Sequence, residues 1–266
     1  MIARVLTIAG SDSSGGAGIE ADLKTITALG GYGCTSITGL TAQNTLGVQN
    51  VHPVPAAFVA QCMRAVISDI GVDAIKLGML TNAGIVSAVA DNLPAGLPVI
   101  LDPVMISTSG SPLLPDAAVT VLIEKLLPRA ALTTPNLPEA AKLTGLPVET
   151  HEHCLAAGQR LLAMGAKAVL IKGGHGHETM LTDLLVTPQQ VLAITLPRLE
   201  TRHTHGTGCT LSAAIATFMA QAVPLEQAVR RARDYLQNAI ATAPNLGAGH
   251  GPVNHLANIG SRSSIF

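Results

Sequence analysis

The chain reads as an α/β protein: a central, mostly parallel β-sheet flanked by helices, with a small antiparallel β element. Three observations point there. Short apolar runs rich in β-formers alternate along the 266 residues with stretches whose apolar residues fall at helical spacing. Several runs open directly into glycine-rich or polar loops, the layout of buried parallel strands whose carboxyl ends carry a site. Hydrophobic residues make up 48% of the chain and charged ones 12%, enough apolar surface to cover a sheet on both faces.

The elements follow in order. Residues 4–9 form a strand that stops at the loop 10–18, where five of nine residues are Gly or Ala. Residues 19–29 carry apolar positions at helical spacing and end at Gly30-Gly31. Runs 35–43 and 48–54, joined by Asn44-Thr45-Leu46-Gly47, predict a hairpin. A helix over 55–70 opens on a proline, which suits a first turn. Strand 74–80, helix 83–93 and strand 99–104 come next, the last containing Asp102, an acid costly to bury unless it meets a cation or donors. Residues 105–112 are small and polar, the composition of a flap. Helix 117–127, strand 130–134, the lead-in 135–139 to another helix, helix 153–164 and strand 168–172 complete the alternation. Runs 179–186 and 191–196, separated by a short turn with a proline, predict an antiparallel pair. The last helix, 225–242, has one apolar stripe, which places Arg230, Arg231 and Arg233 mostly on its solvated side. No linker or repeat interrupts the pattern, so one domain over 1–260 is expected, with a frayed tail at 261–266.

Composition excludes several functions. With a net charge of −1 and no basic block, nucleic acid is not the main partner. No apolar run reaches membrane-spanning length, and the first ten residues lack the charged lead of a signal peptide. The four cysteines form no C-x-x-C pair. A cytoplasmic protein without membrane contact is expected.

The strongest chemical signal is Thr204-His205-Gly206-Thr207-Gly208-Cys209, which feeds a run of small apolar residues that reads as a buried helix. Glycines two apart let the backbone turn tightly, and the first amides of a helix form a ready anion site. A cysteine there is expected to have a lowered pKa and to serve as base or nucleophile. Asp102, the Asn136-to-Glu139 segment and Lys172 lie at other strand ends. An acid for a divalent ion, a lysine for phosphate and an anion-binding turn are the parts of phosphoryl transfer. His203 and His205, like His175 and His177, alternate in loops rather than sitting at i,i+4, which argues against a metal pair; His205 is expected to shape its turn.

Seven segments together resemble the hydroxymethylpyrimidine/phosphomethylpyrimidine kinases, the thiamine-pathway branch of the ribokinase-like superfamily. They are the loop 10–18, Thr41-Ala42-Gln43-Asn44, Lys76-Leu77-Gly78-Met79, Asp102-Pro103-Val104-Met105, the stretch 134–140, Lys172-Gly173-Gly174-His175 and the 204–209 turn. The stretch 249–255 adds to the resemblance. It implies phosphorylation of 4-amino-5-hydroxymethyl-2-methylpyrimidine, and then of its monophosphate, by ATP with Mg²⁺. It further implies that Gly206, Thr207 and Gly208 form the anion hole and that Cys209 stands where sugar kinases carry an aspartate base. By the same resemblance Asn136 serves ATP binding, Glu139 and Asp102 the metal, and Lys172 the phosphates. Gln43 would read the pyrimidine edge, and Gly10, Ala17, Met79 and Val104 would line the pocket with Asp22 near the substrate end. The family is commonly dimeric. Pyridoxal kinase is the nearest alternative; relatives with this cysteine motif that accept pyridoxal carry a second cysteine in the flap, and 105–114 here has none. A non-catalytic vitamer sensor on the same fold is a second alternative, against which the retained Lys172, Glu139 and glycine turn speak.

Overall fold

The computed structural model describes residues 1–107, 110, 112–173 and 179–257. Nine strands form one sheet: β1 (Arg4–Asp12), β2 (Tyr32–Asn44), β3 (Gly47–Pro53), β4 (Ala74–Leu77), β5 (Val99–Leu101), β6 (Leu132–Thr133), β7 (Val169–Ile171), β8 (Met180–Val186) and β9 (Val191–Pro197). Their order is β3-β2-β1-β4-β5-β6-β7-β8-β9. The run from β2 to β7 is parallel throughout, whereas β3 pairs antiparallel with β2 at one edge and β8 and β9 antiparallel at the other. The predicted class therefore holds, and antiparallel pairing occupies both ends of the sheet.

Among the described residues, eight α-helices cover it: α1 (Gly18–Ala28), α2 (Ala56–Asp69), α3 (Ala83–Asn92), α4 (Asp116–Val121), α5 (Leu137–Thr144), α6 (His151–Ala163), α7 (Thr207–Ala220) and α8 (Leu225–Ala241). Alternation along the strands sends neighbouring side chains to opposite faces. Leu6, Ile8, Ile75, Leu77 and Leu101 pack on one side with residues of α2 through α6. Val5, Ile100, Leu132 and Leu170 pack on the other with α1, α7 and α8. Lys76 lies between Ile75 and Leu77, so it faces α1 and α7 and is fully buried.

Several boundaries differ from the sequence reading. Strand 74–80 ends at Leu77 and strand 99–104 at Leu101, which leaves Met79, Asp102 and Val104 in the loops just beyond. The expected helix 117–127 is α-helical through Val121, then widens to a π turn over Leu122–Leu126 and tightens to a 3₁₀ turn at Leu127–Arg129. The 3₁₀ turn contains Pro128, which cannot donate to an α-helical ladder. Arg233 is corrected outright: it is buried and ion-paired at 2.7 Å with Asp183 of β8, not solvated. Part of the expected flap (108, 109 and 111), Gly174 to His177 and the tail 261–266 lie outside the described residues. Among the described residues no helix is long and apolar enough to cross a membrane.

Candidate active site

A cavity of about 470 Å³ opens at the carboxyl ends of the parallel strands. Every predicted site residue except Asp22 lines it. Gly10, Ala17, Gln43, Met79 and Val104 occupy one part of the lining; Asp102, Asn136, Glu139 and Lys172 come from the ends of β5, β6 and β7; Gly206 through Cys209 come from the start of α7.

The turn before α7 is as tight as its glycines suggested. Gly206 caps the helix with φ +80°, a left-handed conformation, and a Cβ there would run into the carbonyl oxygen of Gly16. A Cβ on Gly208 would stand 3.3 Å from Lys172 Nζ and 3.4 Å from Asp102 Oδ2. The turn backbone thus comes up against an ion pair. Lys172 Nζ donates to Asp102 Oδ1 at 3.0 Å, and the Thr134 hydroxyl donates to the same oxygen at 3.1 Å. Burial alone would raise the Asp102 pKa, but the ammonium groups of Lys172 and Lys76 outweigh it and hold the carboxyl below its usual range.

Cys209 overturns one expectation. Its pKa is not lowered; burial pushes it up to about 11, against the pull of Lys76. A helix terminus stabilises a thiolate by a fraction of an elementary charge, and here desolvation is the larger effect. Asp22 does not itself line the cavity, though its charge acts on the Cys209 thiol. It is fully buried on α1, and both its oxygens accept from Lys76 Nζ, at 2.9 and 2.8 Å. The Thr7 hydroxyl adds a third hydrogen bond at 2.5 Å. Burial raises the Asp22 carboxyl even with Lys76 beside it.

Asn136 and Glu139 have a local task as well as a place in the cavity. The backbone N–H of Asn136 donates to Glu139 Oε2 at 2.9 Å, and that of Glu139 donates to Asn136 Oδ1 at 2.8 Å: a capping box that starts α5. Burial moves the Glu139 carboxyl up to about 7, with Lys172 opposing and Asp102 adding to the rise. Lys76 is balanced by Asp22 and Lys172 by Asp102, so among the described residues an ionised Glu139 has no protein cation of its own. That fits a site completed by a divalent ion. Among the described residues no three His, Cys, Asp or Glu side chains converge as a protein-only metal cage. Water and phosphate oxygens would have to supply most ligands, as Mg²⁺ commonly requires.

Sequence reasoning missed three contributors. Lys76 stood inside a quoted motif without a role. Asp12 and His205 form a buried pair, His205 Nε2 lying 2.7 Å from Asp12 Oδ2. Asp12 also accepts from the backbone N–H groups of Ser14, Gly16 and Ala17, so it organises the glycine loop. Burial acts to raise its pKa, yet His205 and Ser14 bring it down to about 2. An Asp two residues before a Ser-Gly-Gly sequence is an Asx-turn signal that could have marked it. The Asp183–Arg233 pair lines the cavity too, and no local pattern announced it.

The fold and this site define a ribokinase-like small-molecule kinase. The solved structure of Bacillus subtilis pyridoxal kinase in complex with ADP superposes with a TM-score of 0.90 at 34% identity, covering 97% of this chain and 98% of that one. A family model described as phosphomethylpyrimidine kinase matches residues 12–254, and the chain belongs to that family. It is 49% identical to the hydroxymethylpyrimidine/phosphomethylpyrimidine kinase of Escherichia coli, over 94% of this chain and 96% of the relative. It is also 50% identical to the thiamine biosynthesis bifunctional protein ThiED of Geobacter sulfurreducens over 95% of this chain, spanning 52%, about half, of that longer protein.

Proposed function

We propose that this chain transfers the γ-phosphoryl group of ATP to 4-amino-5-hydroxymethyl-2-methylpyrimidine, and then a second phosphoryl group to the monophosphate, in thiamine biosynthesis. The observation that carries this reading is the meeting of the Gly206–Cys209 turn, the Lys172–Asp102 pair and Glu139 at one end of a cavity that also holds Gln43. The relatives' names and the ADP complex of the pyridoxal kinase support it.

The amides of 206–208 would face the charge that develops on the transferring group, and Lys172 would meet the phosphates. When bound, Mg²⁺ would neutralise phosphate charge; Glu139 and Asp102 are the residues that would hold it. Gln43 would pair with the aminopyrimidine edge, since a carboxamide both donates and accepts. Cys209 would take the proton of the attacking hydroxyl, with the thiolate supplied by the small ionised fraction. We read residues 1–260 as one kinase domain that acts as a homodimer in the cytoplasm; sedimentation of the purified protein tests the assembly.

A coupled ADP-release assay with the hydroxymethylpyrimidine, its monophosphate and pyridoxal as separate substrates tests the function. Turnover of both pyrimidines with slower turnover of pyridoxal is the expected result. Pyridoxal turned over best would move the assignment to pyridoxal kinase, and silence towards all three would favour a vitamer sensor.

A further inference from the structure

The hydrogen bonds around Gln43 determine which way its carboxamide faces. Thr41 Oγ1 lies 3.0 Å from the Ser11 carbonyl oxygen and 3.2 Å from one terminal atom of the Gln43 amide. The other terminal atom lies 3.3 Å from His205 Nε2, which is itself 2.7 Å from Asp12 Oδ2. Asp12 is ionised at neutral pH, so His205 Nε2 carries a proton and donates to it. With the amide nitrogen towards His205, two donors would face each other, and the single Thr41 proton would have to serve two oxygens. A half-turn of the amide, which exchanges two nearly equivalent atoms, removes both conflicts. Gln43 Nε2 then donates to Thr41 Oγ1, Thr41 donates to Ser11, and Gln43 Oε1 accepts the weaker arm of the His205 proton shared with Asp12.

We propose that Asp12, His205 and Thr41 are positioning residues that lock this amide orientation and so set ring specificity. Resting on Gln43 as the reader of the pyrimidine edge, the lock fixes the order of donor and acceptor that the cavity presents. An aminopyrimidine offers a ring-nitrogen acceptor beside an amino donor. Its 4-oxo analogue offers the reverse, an N–H donor beside a carbonyl acceptor. A free amide would accommodate either by turning over; a locked one leaves the oxo ring with unpaired polar groups.

The test is the ratio of kcat/KM for the amino and oxo alcohols, in which any loss common to both substrates cancels. We expect the unaltered protein to prefer the amino ring by at least ~10²-fold, the scale on which mismatched polar pairs discriminate. Thr41→Val and His205→Phe should each lower that ratio by about tenfold or more, and the double variant should lower it little further, because both act through one amide. Unchanged ratios in folded variants, or a preference below about tenfold in the unaltered protein, overturn the proposal. Neutron diffraction from deuterium-exchanged, ligand-free crystals reads the amide directly. Deuterons on the Gln43 atom facing Thr41 support the lock, and deuterons on the Gln43 atom facing His205 refute it. That arm stands whether or not the pyrimidine is the substrate, so a failed lock and a failed functional reading give different results.

Discussion

At pH 7 a thiol of pKa about 11 lies four units below its midpoint, so roughly one site in 10⁴ carries the thiolate. If Cys209 accepts the substrate proton, kcat should climb by up to ~10-fold per pH unit through the alkaline range. Cys209→Ser should lose that slope and about 10² in kcat, the usual scale of general-base assistance. A flat profile shared by both proteins, with near-normal turnover of the variant, would assign the barrier to the backbone amides alone. Glu139 allows a cleaner separation of structure from chemistry. Gln at that position can still close the capping box, so Glu139→Gln should melt within a few degrees of the unaltered protein. Its half-saturating Mg²⁺ concentration should rise by about tenfold or more as the carboxylate is lost, read from initial rates against metal concentration. What the sequence could not convey about these residues is burial. A cysteine at a helix start and an N-x-x-E pair can be read from spacing, but whether desolvation outweighs a dipole depends on the layers packed above them.

Among the elements, α7 brings the glycine turn to the site and is held twice near its N-terminus. Its first turn meets the glycine loop so closely that Gly206→Ala must push the two backbones apart and strain a φ of +80°. A cost of about 2 kcal/mol or more is expected in urea unfolding, with kcat falling alongside it. Its second turn meets the segment after α8: His255 Nε2 lies 3.2 Å from Thr210 Oγ1, and the His255 carbonyl accepts from the Tyr235 hydroxyl at 2.7 Å. Burial, aided by Lys24 and His205, lowers the His255 pKa to about 4. The unfolded chain therefore binds a proton there near pH 6.5 that the folded protein refuses. The contribution to stability is complete above that pH and is lost as pH falls towards 4, by about 3 kcal/mol in all. Urea midpoints at pH 7 and 4.5 should converge in His255→Gln relative to the unaltered protein. The order and type of these elements could be read from periodicity, because each strand or helix carries its own pattern. The two-residue β6 and the π turn after α4 could not, since their lengths are set by neighbours rather than by their own residues.

Across the whole molecule, the Asp22–Lys76 pair ties α1 to β4 through the middle of a buried layer. Asp22→Ala should destabilise by about 3–5 kcal/mol by stranding a buried ammonium, whereas the double replacement Asp22→Leu with Lys76→Met should recover most of it. Equilibrium unfolding of the three proteins checks the order. Arg233 was misplaced on the wet face of α8, and Asp22 was given no partner, for one reason: their partners lie 50 and 54 residues away in sequence, beyond any local pattern. The sheet itself has a further consequence for the chain as it is made. Its α1, α7 and α8 face is completed by Leu211, Ala214, Ile215, Ala228 and Val229, all downstream of every strand. On the ribosome, the strands from Val5 to Ile194 therefore emerge with one apolar face largely uncovered until α7 and α8 follow. A nascent chain paused in between would be a natural client of the cell's chaperones.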